Sequence, residues 1–350
     1  MSSIASRHIL FPAPNQVELA AEEVDAGSLG RDELLIRSEV SLISAGTELA
    51  RLRGEAEGHG RFPMRSGYAC IGRIIAAGPG TSGAAVGDRV FFAGKHAAVQ
   101  RFLHNQDHQW GRCYPVPEGI APEDAVFACL AQIALVAPWV SAAQPGDTVA
   151  VFGLGVIGNL CAQLYQLAGA EVIGIDPVAA RCALARACGL HRTIDVEPAG
   201  QVAALRGATG GAGAAITVDA VGHAAVTLAA VQGTRLMGEC VILGTPRVPH
   251  QGDLTALLNR VHMEGIALRG AHMWRFPAMH TRGTTRTVAD AYAMLFAAIA
   301  DGRLRVAPLR SHVVAPEQAG ACYRELGEAR DRAWGVVIDW RADGACADRG

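Results

Sequence analysis

The segment from Thr148 to Pro177 constrains the fold of this chain more than any other stretch. Its first apolar run, Val149 to Phe152, follows a Pro-Gly-Asp turn and predicts a buried strand. Leucines at helical spacing come next, and a second apolar run, Glu171 to Ile175, ends in Asp176. Between the first strand and the helix lie three glycines in the spacing GxGxxG: Gly153, Gly155 and Gly158. Strand, glycines, helix, strand and terminal acid in this order predict a βαβ dinucleotide-binding unit.

The three glycines have different physical roles in such a unit. Gly153 permits the tight turn, Gly155 lets the backbone approach a pyrophosphate, and Gly158 lets helix and strand pack closely. The unpaired N–H groups at the start of the helix, around Val156 and Ile157, would hold the phosphates. An ordinary βαβ unit with turn glycines is the alternative interpretation.

Asp176 is the predicted determinant of cofactor choice. Its carboxylate can accept both hydroxyls of an adenosine ribose and would repel a 2′-phosphate, so the sequence favours NAD(H) over NADP(H). Pro177 follows it, and Arg181 lies five residues beyond it. Arg181 is either an adenine-stacking side chain or part of a solvated helix face. NAD is therefore the predicted cofactor.

The length, charge and cysteine content of the chain limit the classes of protein to which it can belong. A chain of 350 residues suggests two domains, and a formal net charge of −2 gives no reason to expect nucleic acid or an anionic membrane surface as a partner. No uninterrupted apolar run reaches the about 18 residues of a membrane span, and the N-terminus lacks a signal-peptide core. The nine cysteines never form a CxxC pair, and several lie in apolar stretches. Such thiols are typical of a reducing compartment, so a cytoplasmic protein is expected.

Lys95 is the only lysine among 31 lysine and arginine residues. Mutational bias can account for arginine elsewhere, since arginine supplies surface charge equally well. A lysine, however, can release its proton, and in practice an arginine cannot. Lys95 is therefore a candidate for proton transfer, with an unimportant surface lysine as the alternative.

The chain is predicted to be an α/β protein with a β-rich domain before the dinucleotide-binding domain. Short strand candidates and glycine turns fill residues 1–125, and the dinucleotide-binding domain is assigned to 126–285. Pro122 to Ala143 is apolar at helical spacing, with an expected break near Pro138. An amphipathic helix is predicted over Thr285 to Ala300. Residues 286–340 form a connecting helix and a mixed segment, and 341–350 are expected to be disordered.

The motif order resembles that of the medium-chain dehydrogenase/reductase superfamily over nearly the whole chain. The motifs that carry the resemblance are ISAGTE at 43–48, GYACIG at 67–72, GDRV at 87–90 and the Gly153 loop. The resemblance implies a GroES-like catalytic domain, re-entered after a Rossmann domain, with an active-site cleft between the two. It also implies a homodimer or homotetramer in which the strand at Gly265 to Gly270 pairs with its mate. The SAGTE string is similar to a zinc-free branch that includes bacteriochlorophyllide hydroxyethyl dehydrogenases.

The sequence departs from the zinc-dependent members of that family. By the resemblance, Ala45 takes the place of a ligand cysteine, and Tyr68 and Ala69 replace a His-Glu pair. Cys129 lies near the position of the third ligand, but a tetrahedral zinc site needs three protein ligands. No catalytic zinc is therefore expected. A metal site at His104 and His108, with Asp107 between them, is a weaker alternative.

Without zinc, a side chain must move the hydroxyl proton. By family position, Tyr68 projects into the vacated metal site, Thr47 holds a proton-relay hydroxyl position, and Lys95 and His96 follow the GDRV turn near the substrate pocket. Glu48 is the only carboxylate of the first motif and a lower-ranked base. The alternatives are a packing role for Tyr68, a structural turn residue at His96 and an ion-pair role for Glu48.

Further positions follow from the same resemblance. The strands before 219–222 and 244–246 end near the nicotinamide ribose in this fold, which assigns Val221, Gly244 and Thr245 to the cofactor. The substrate-binding candidates are Arg65, Trp274 and Arg275. Of these, Trp274 and Arg275, together with Arg282 and Arg286, would bind an acidic group on the substrate. A solvated or interface role explains these residues equally well.

The sequence thus leads to three functional hypotheses. The first is a zinc-independent, NAD-dependent oxidoreductase acting on a secondary alcohol or ketone of a sugar, a cyclitol or a specialised metabolite. The second is an NADPH-dependent quinone or enoyl reductase, against which Asp176 argues. The third is a non-catalytic NAD-binding protein, against which the polar groups at pocket positions argue weakly.

Overall fold

The chain folds into two compact units, each made from separated segments. The structure is a computed structural model that describes residues 3–55, 61–105, 108–329 and 331–343. The first unit combines Met1–Cys129, Phe276–Asp301 and Arg310–Gly350, and the second combines Leu130–Arg275 and Gly302–Leu309. The divisions fall at 129/130, 275/276, 301/302 and 309/310, where the sequence predicted 125/126 and 285/286. Gly302–Leu309, which the sequence assigned to the segment that returns to the first domain, belongs to the second unit.

Both units contain strands and helices, which are numbered here in chain order. Across the described ranges the strands are β1 (Ser3–Phe11), β2 (Glu18–Asp25), β3 (Glu33–Leu42), β4 (Met64–Arg65), β5 (Cys70–Ala77), β6 (Arg89–Phe92), β7 (Val99–Leu103), β8 (Tyr114–Pro115), β9 (Thr148–Phe152), β10 (Glu171–Ile175), β11 (Arg192–Ile194), β12 (Ala214–Asp219), β13 (Thr234–Ile242), β14 (Ala267–Gly270), β15 (His312–Val314) and β16 (Val336–Asp339). The α-helices are α1 (Ala45–Arg53), α2 (Pro122–Ala125), α3 (Ala128–Val140), α4 (Val156–Leu167), α5 (Ala179–Ala187), α6 (Pro198–Ala208), α7 (Ala224–Gly233), α8 (Leu254–Glu264), α9 (Val288–Ala300) and α10 (Ala319–Glu328).

The first unit is built on two sheets that are largely antiparallel. A seven-stranded sheet has the order β15-β16-β3-β5-β6-β8, with β7 also pairing with β3, and a three-stranded sheet has the order β2-β1-β4. β3 is central because it pairs with β5, β7 and β16, and its residues are mostly buried. A core that includes Phe11, Tyr323 and Trp340 lies in this unit. This is the β-rich domain that the sequence predicts.

The second unit contains one parallel sheet with the strand order β11-β10-β9-β12-β13-β14. β9 lies in the middle of the sheet and is buried from Val149 to Phe152, as expected of a parallel strand covered on both faces. The order reverses between β9 and β12, and a dinucleotide binds at the carboxyl ends of the strands at such a switch point. The Rossmann arrangement predicted from the sequence is therefore present, with β14 at one edge.

Several predicted boundaries differ from the structure. The apolar segment after Pro122 is interrupted between α2 and α3, and Pro138 lies inside α3 rather than at a break. α9 begins at Val288 because Thr287 caps it, its hydroxyl accepting a hydrogen bond from the Asp290 N–H at 3.1 Å. In the predicted disordered tail, 341–343 form a helical turn in which Asp343 accepts a hydrogen bond from Arg7 at 2.8 Å. Residues 344–350 of that tail lie outside the described residues.

One stretch is apolar enough, by length and composition, to cross a membrane, which the sequence analysis did not expect. It is Pro122–Val140, a run of 19 residues that contains α2 and α3. In the apolar part of this run, 67% is buried inside the protein, as is usual for a helix in a protein core.

Candidate active site

The glycine-rich turn after β9 forms a cradle that a dinucleotide fits. Gly153 has a φ of +91°, a conformation that side chains disfavour. A Cβ on Gly158 would lie 1.8 Å from the Gly153 carbonyl oxygen, so only glycine allows this approach of α4 to the turn. A Cβ on Gly155 would meet nothing within 4 Å, which leaves open space beside the first turn of α4. α4 begins at Val156, and the residue before it, Gly155, has no side chain that could cap the N–H groups of the first helical turn.

Asp176, at the end of β10, supports the same turn. It is 2% exposed, and its carboxylate accepts hydrogen bonds from the Leu154 N–H at 2.8 Å and the Val178 N–H at 2.9 Å. Each oxygen keeps a further lone pair, so acceptors remain for ribose hydroxyls. The Arg181 guanidinium lies 3.6 Å from this carboxylate, whereas Pro177 is exposed. The structure thus brings Arg181 to Asp176, an ion pair that the sequence analysis did not consider.

The other predicted cofactor residues lie on loops that contact the glycine turn. Val221 is 54% exposed, and a Cβ on Gly153 would be 2.5 Å from its Cγ2. Gly244 packs so closely that a Cβ on it would lie 2.2 Å from the Gly222 nitrogen, and a Cβ on Gly222 would lie 2.5 Å from the Thr245 carbonyl oxygen. Buried Asp219 fixes this loop by accepting hydrogen bonds from the Val221 and Gly222 N–H groups, at 2.9 and 3.0 Å.

In the first unit, Glu48 is the centre of a buried hydrogen-bond network. Its carboxylate is fully buried and accepts from the Ser44 N–H at 2.7 Å, the Tyr323 hydroxyl at 2.5 Å and the Ser66 hydroxyl. His96 Nε2 lies 3.0 Å from the same carboxylate. Burial by itself raises the pKa of Glu48, but the positive charge of His96 and these hydrogen bonds outweigh it, so the pKa is lowered. Glu48 is therefore an ionised structural carboxylate in this network.

His96 is enclosed in the same network. It is fully buried, and its Nδ1 lies 2.7 Å from the Ser41 hydroxyl, which also accepts a hydrogen bond from the Trp340 indole at 2.9 Å. Both ring nitrogens therefore have protein partners. The structure places His96 and Glu48 together in the interior of the unit rather than at its surface. Sequence reasoning missed the partners of Glu48, which are Ser44, Ser66 and Tyr323, and the partner of His96, Ser41, to which Trp340 also donates.

Tyr68 is held between polar and aromatic partners. Its ring is 5% exposed and stacks on Trp110 with a centroid distance of 5.2 Å, and the Arg51 guanidinium lies 5.9 Å from the ring centroid. Its hydroxyl donates to the Ser44 hydroxyl, and the partly exposed Thr47 is a further hydrogen-bond partner. Burial raises the pKa of Tyr68, so the phenol remains protonated and acts as a donor.

Lys95 is the exposed member of the predicted catalytic set. It follows β6, and its side chain reaches the surface while its neighbour His96 is buried. The surrounding protein lowers the pKa of Lys95 by desolvating the ammonium, and the positive charge of Arg51 lowers it further. A neutral amine is therefore more accessible here than on an ordinary surface lysine.

The predicted substrate residues belong to different units. Arg65 belongs to the first unit and donates to the Glu22 carboxylate at 2.8 Å. Trp274 and Arg275 belong to the second unit, where both are exposed and the Trp274 ring stacks on His272 at 6.3 Å. Arg65 therefore takes part in an ion pair, whereas Trp274 is 54% exposed.

The weaker metal-site alternative at His104 and His108 does not hold. His104 is buried, its Nδ1 accepts the Cys113 N–H at 3.1 Å, and its Nε2 lies 3.2 Å from the Ser82 carbonyl oxygen. Both nitrogens of His104 are occupied, and His108 is exposed. Asp107 lies outside the described residues.

The residues at the family's zinc positions do not fit a catalytic zinc ion. Ala45, Tyr68 and Ala69 supply neither the thiolate nor the imidazole that such a site requires. Cys129 is buried with its sulfur 4.0 Å from the Tyr68 carbonyl oxygen, and Glu48 is fully engaged in its network. Throughout the described ranges, no three His, Cys, Asp or Glu side chains are grouped so as to hold a metal.

Comparisons with known proteins show similarity to dehydrogenases. The profile of the family described as zinc-binding dehydrogenase matches residues 156–282. D-guloside 3-dehydrogenase of Escherichia coli K12 is 31% identical over 175 residues, which cover 50% of this chain and 49% of that protein. The match therefore spans about half the length of that curated relative.

Solved structures share the fold over nearly the whole chain. One, described as a short chain alcohol dehydrogenase of Escherichia coli CFT073 complexed with NADH, has a TM-score of 0.79 at 16% identity and covers 96% of this chain and 99% of its own. A structure described as a zinc-binding dehydrogenase of Sinorhizobium meliloti 1021 bound to NADP has a TM-score of 0.79 at 20% identity and covers 97% of this chain and 100% of its own. These similar structures include one with each nicotinamide cofactor, so the fold alone does not select between NAD and NADP.

Proposed function

We propose, from the premise that the chain belongs to the medium-chain dehydrogenase/reductase superfamily, that it is an NAD(H)-dependent dehydrogenase. The proposed reaction is the oxidation of a secondary alcohol to a ketone, or its reverse, on a sugar, a cyclitol or a specialised metabolite. The observation that carries the proposal is the cradle of Gly153, Gly155 and Gly158 at the switch point of the parallel sheet. The name of the E. coli relative, D-guloside 3-dehydrogenase, supports a sugar substrate.

Proton transfer is assigned to Lys95. When bound, the nicotinamide would accept the hydride from the carbinol carbon, or return it in the reverse direction. The neutral Lys95 amine would take the hydroxyl proton during oxidation, and the ammonium would give it back during reduction. Its lowered pKa moves Lys95 toward the range useful for a base. The buried Tyr68 hydroxyl and Thr47 would orient the substrate oxygen rather than hold the proton.

A panel of alcohols tests the proposal directly. NAD reduction would be followed by nicotinamide absorbance with free sugars, glycosides, cyclitols and simple secondary alcohols. Turnover of at least one polyhydroxylated secondary alcohol is expected. Tight NADH binding without turnover of any panel member, in either direction, would favour the non-catalytic interpretation.

Cofactor choice is expected to depend on Asp176. Asp176→Ala should weaken NADH binding by roughly 10–100-fold, since hydrogen bonds to a charged group are worth about 1.5–3 kcal/mol. NADPH binding should weaken less or improve, because the repulsion of the 2′-phosphate is removed. Fluorescence titration with both cofactors measures this. Glu171→Ala, at the exposed start of the same strand, is the matched control and should change neither affinity. Tighter binding of NADPH than of NADH by the wild type contradicts the assignment.

The side chains at the family's zinc positions predict that the proposed reaction does not need zinc. Protein purified without chelator should contain far less than a stoichiometric amount of zinc, and dialysis against a chelator should leave activity unchanged. Elemental analysis of the same preparation used for kinetics is the measurement. Stoichiometric zinc whose removal abolishes activity would show that Ala45, Tyr68 and Ala69 do not exclude the metal.

A further inference from the structure

Gln100 is joined to the backbone of Lys95 by both ends of its side-chain amide. The Lys95 N–H donates to Gln100 Oε1 at 2.8 Å, and Gln100 Nε2 donates to the Lys95 carbonyl oxygen at 2.9 Å. Gln100 lies in β7 and is 9% exposed. One buried side chain therefore satisfies both backbone polar groups of Lys95, as a neighbouring strand would.

Two further contacts restrict the same backbone. The Cys70 thiol lies 3.2 Å from the Lys95 carbonyl oxygen and 3.3 Å from the Gly94 carbonyl oxygen. Burial raises the pKa of Cys70 well above its usual value, so the sulfur stays protonated and donates. At Gly94 a Cβ would lie 2.2 Å from the Phe92 ring and 2.8 Å from Gln100 Oε1. The chain before Lys95 is therefore tightly packed.

Lys95 thus combines a backbone that Gln100 holds in place with a side chain that is exposed. A buried glutamine amide also joins the backbone of exposed Arg305, so this arrangement alone does not indicate a reacting side chain. It matters at Lys95 because a misplacement of a reacting group by about 1 Å can cost roughly 10²-fold in rate. We propose that Gln100 is a positioning residue that sets Lys95 for proton transfer. This inference rests on the proposed function, in which Lys95 moves the proton.

The uniqueness of Lys95 allows a test that does not depend on activity. Because the chain contains no other lysine, isotopic labelling of lysine gives one side-chain signal by NMR. Gln100→Met keeps the length of the side chain and removes both hydrogen bonds. The experiment follows the Lys95 signal through a pH titration in the full-length protein, together with kcat and the KM for NAD.

The second unit offers a matched control. Gln163 is 3% exposed and joins the backbone of Arg305 in the same way, accepting the Arg305 N–H at 2.8 Å and donating to its carbonyl oxygen at 3.1 Å. Gln163→Met therefore removes an equivalent buried amide away from Lys95 in the sequence. It should lower the melting temperature to a similar extent and leave the Lys95 titration unchanged.

The outcomes separate the positioning role from a merely structural one. Gln100→Met is expected to lower kcat by roughly 10²-fold and to shift the Lys95 titration, with the KM for NAD changed by less than about twofold. A stability loss like that of Gln163→Met, with unchanged kcat and an unchanged Lys95 titration, overturns the inference. If Gln100→Met does not fold, Gln100→Asn replaces it, because the shorter side chain breaks the same hydrogen bonds. The same changes in kcat and in the Lys95 titration are then expected of Gln100→Asn. If Lys95→Ala retains turnover, the proposed proton transfer fails, whereas the titration still reports whether Gln100 fixes Lys95.

Discussion

Replacing Lys95 with alanine is expected to lower kcat by roughly 10²–10⁴-fold, the usual worth of general acid–base catalysis. The reason is that the residues at the zinc positions of the first unit do not fit a metal that could stabilise an alkoxide. Lys95 is exposed and has a lowered pKa, so its amine can take the hydroxyl proton. Steady-state kinetics on the best substrate of the alcohol panel is the measurement.

Lys95→Arg distinguishes proton transfer from a simple charge effect. Arginine retains the positive charge but does not release its proton, so a role in proton transfer predicts a loss close to that of alanine. The rate of oxidation by the wild type should rise as the pH passes through the lowered pKa of Lys95, because the neutral amine is the base. This rise of the rate with pH should be absent from both Lys95 variants. Arg31→Ala removes an exposed positive charge, 85% exposed at its side chain, and is the control with unchanged turnover. Near-normal turnover in both Lys95 variants would contradict the role and direct attention to Tyr68→Phe.

Glu48→Ala is expected to lower the free energy of unfolding by about 3–5 kcal/mol, the cost of removing one partner from a buried charged pair. The fully buried carboxylate accepts from Ser44, Ser66 and Tyr323 and contacts His96, so alanine leaves these groups without their acceptor. Denaturant unfolding at neutral pH measures the change. Because the same network supports the start of α1 and the Ser44 hydroxyl that Tyr68 contacts, activity should fall as well.

A surface ion pair in the same unit provides the control. Glu118 accepts two hydrogen bonds from Arg73 at 3.0 Å but is largely exposed, so Glu118→Ala should leave the free energy of unfolding nearly unchanged. The pH dependence is a second test. The pKa of Glu48 is lower in the folded protein than in the unfolded chain, so its contribution is present above the unfolded value of about 4.3 and is lost as pH falls below it. The Glu48→Ala variant should lack that acid-induced loss. A loss no larger than that of Glu118→Ala would show that Glu48 is not the centre of the network.

The sequence by itself determined the dinucleotide-binding half in considerable detail. β9, the turn at Gly153 and β10 are adjacent in the chain, and their apolar runs and glycine spacing are local consequences of buried parallel strands and a close helix approach. For the same reason the sequence places Asp176 directly after the end of its strand. Composition alone singled out Lys95. Homodimer formation through β14 and a cytoplasmic location remain predictions.

Only the tertiary structure decided what surrounds Glu48 and His96. Tyr323, which donates to Glu48, is 275 residues from it in the chain. Ser41, which contacts His96, also accepts from Trp340, 299 residues further along the chain. No periodicity or motif encodes such contacts, because they form only when β16 and α10 return to the first unit. The sequence could therefore propose His96 and Glu48 as pocket residues, whereas the fold buries both. The pairing of Gln100 with Lys95 is likewise invisible in sequence, since a glutamine in a strand gives no sign that its amide will complete another residue's backbone hydrogen bonds.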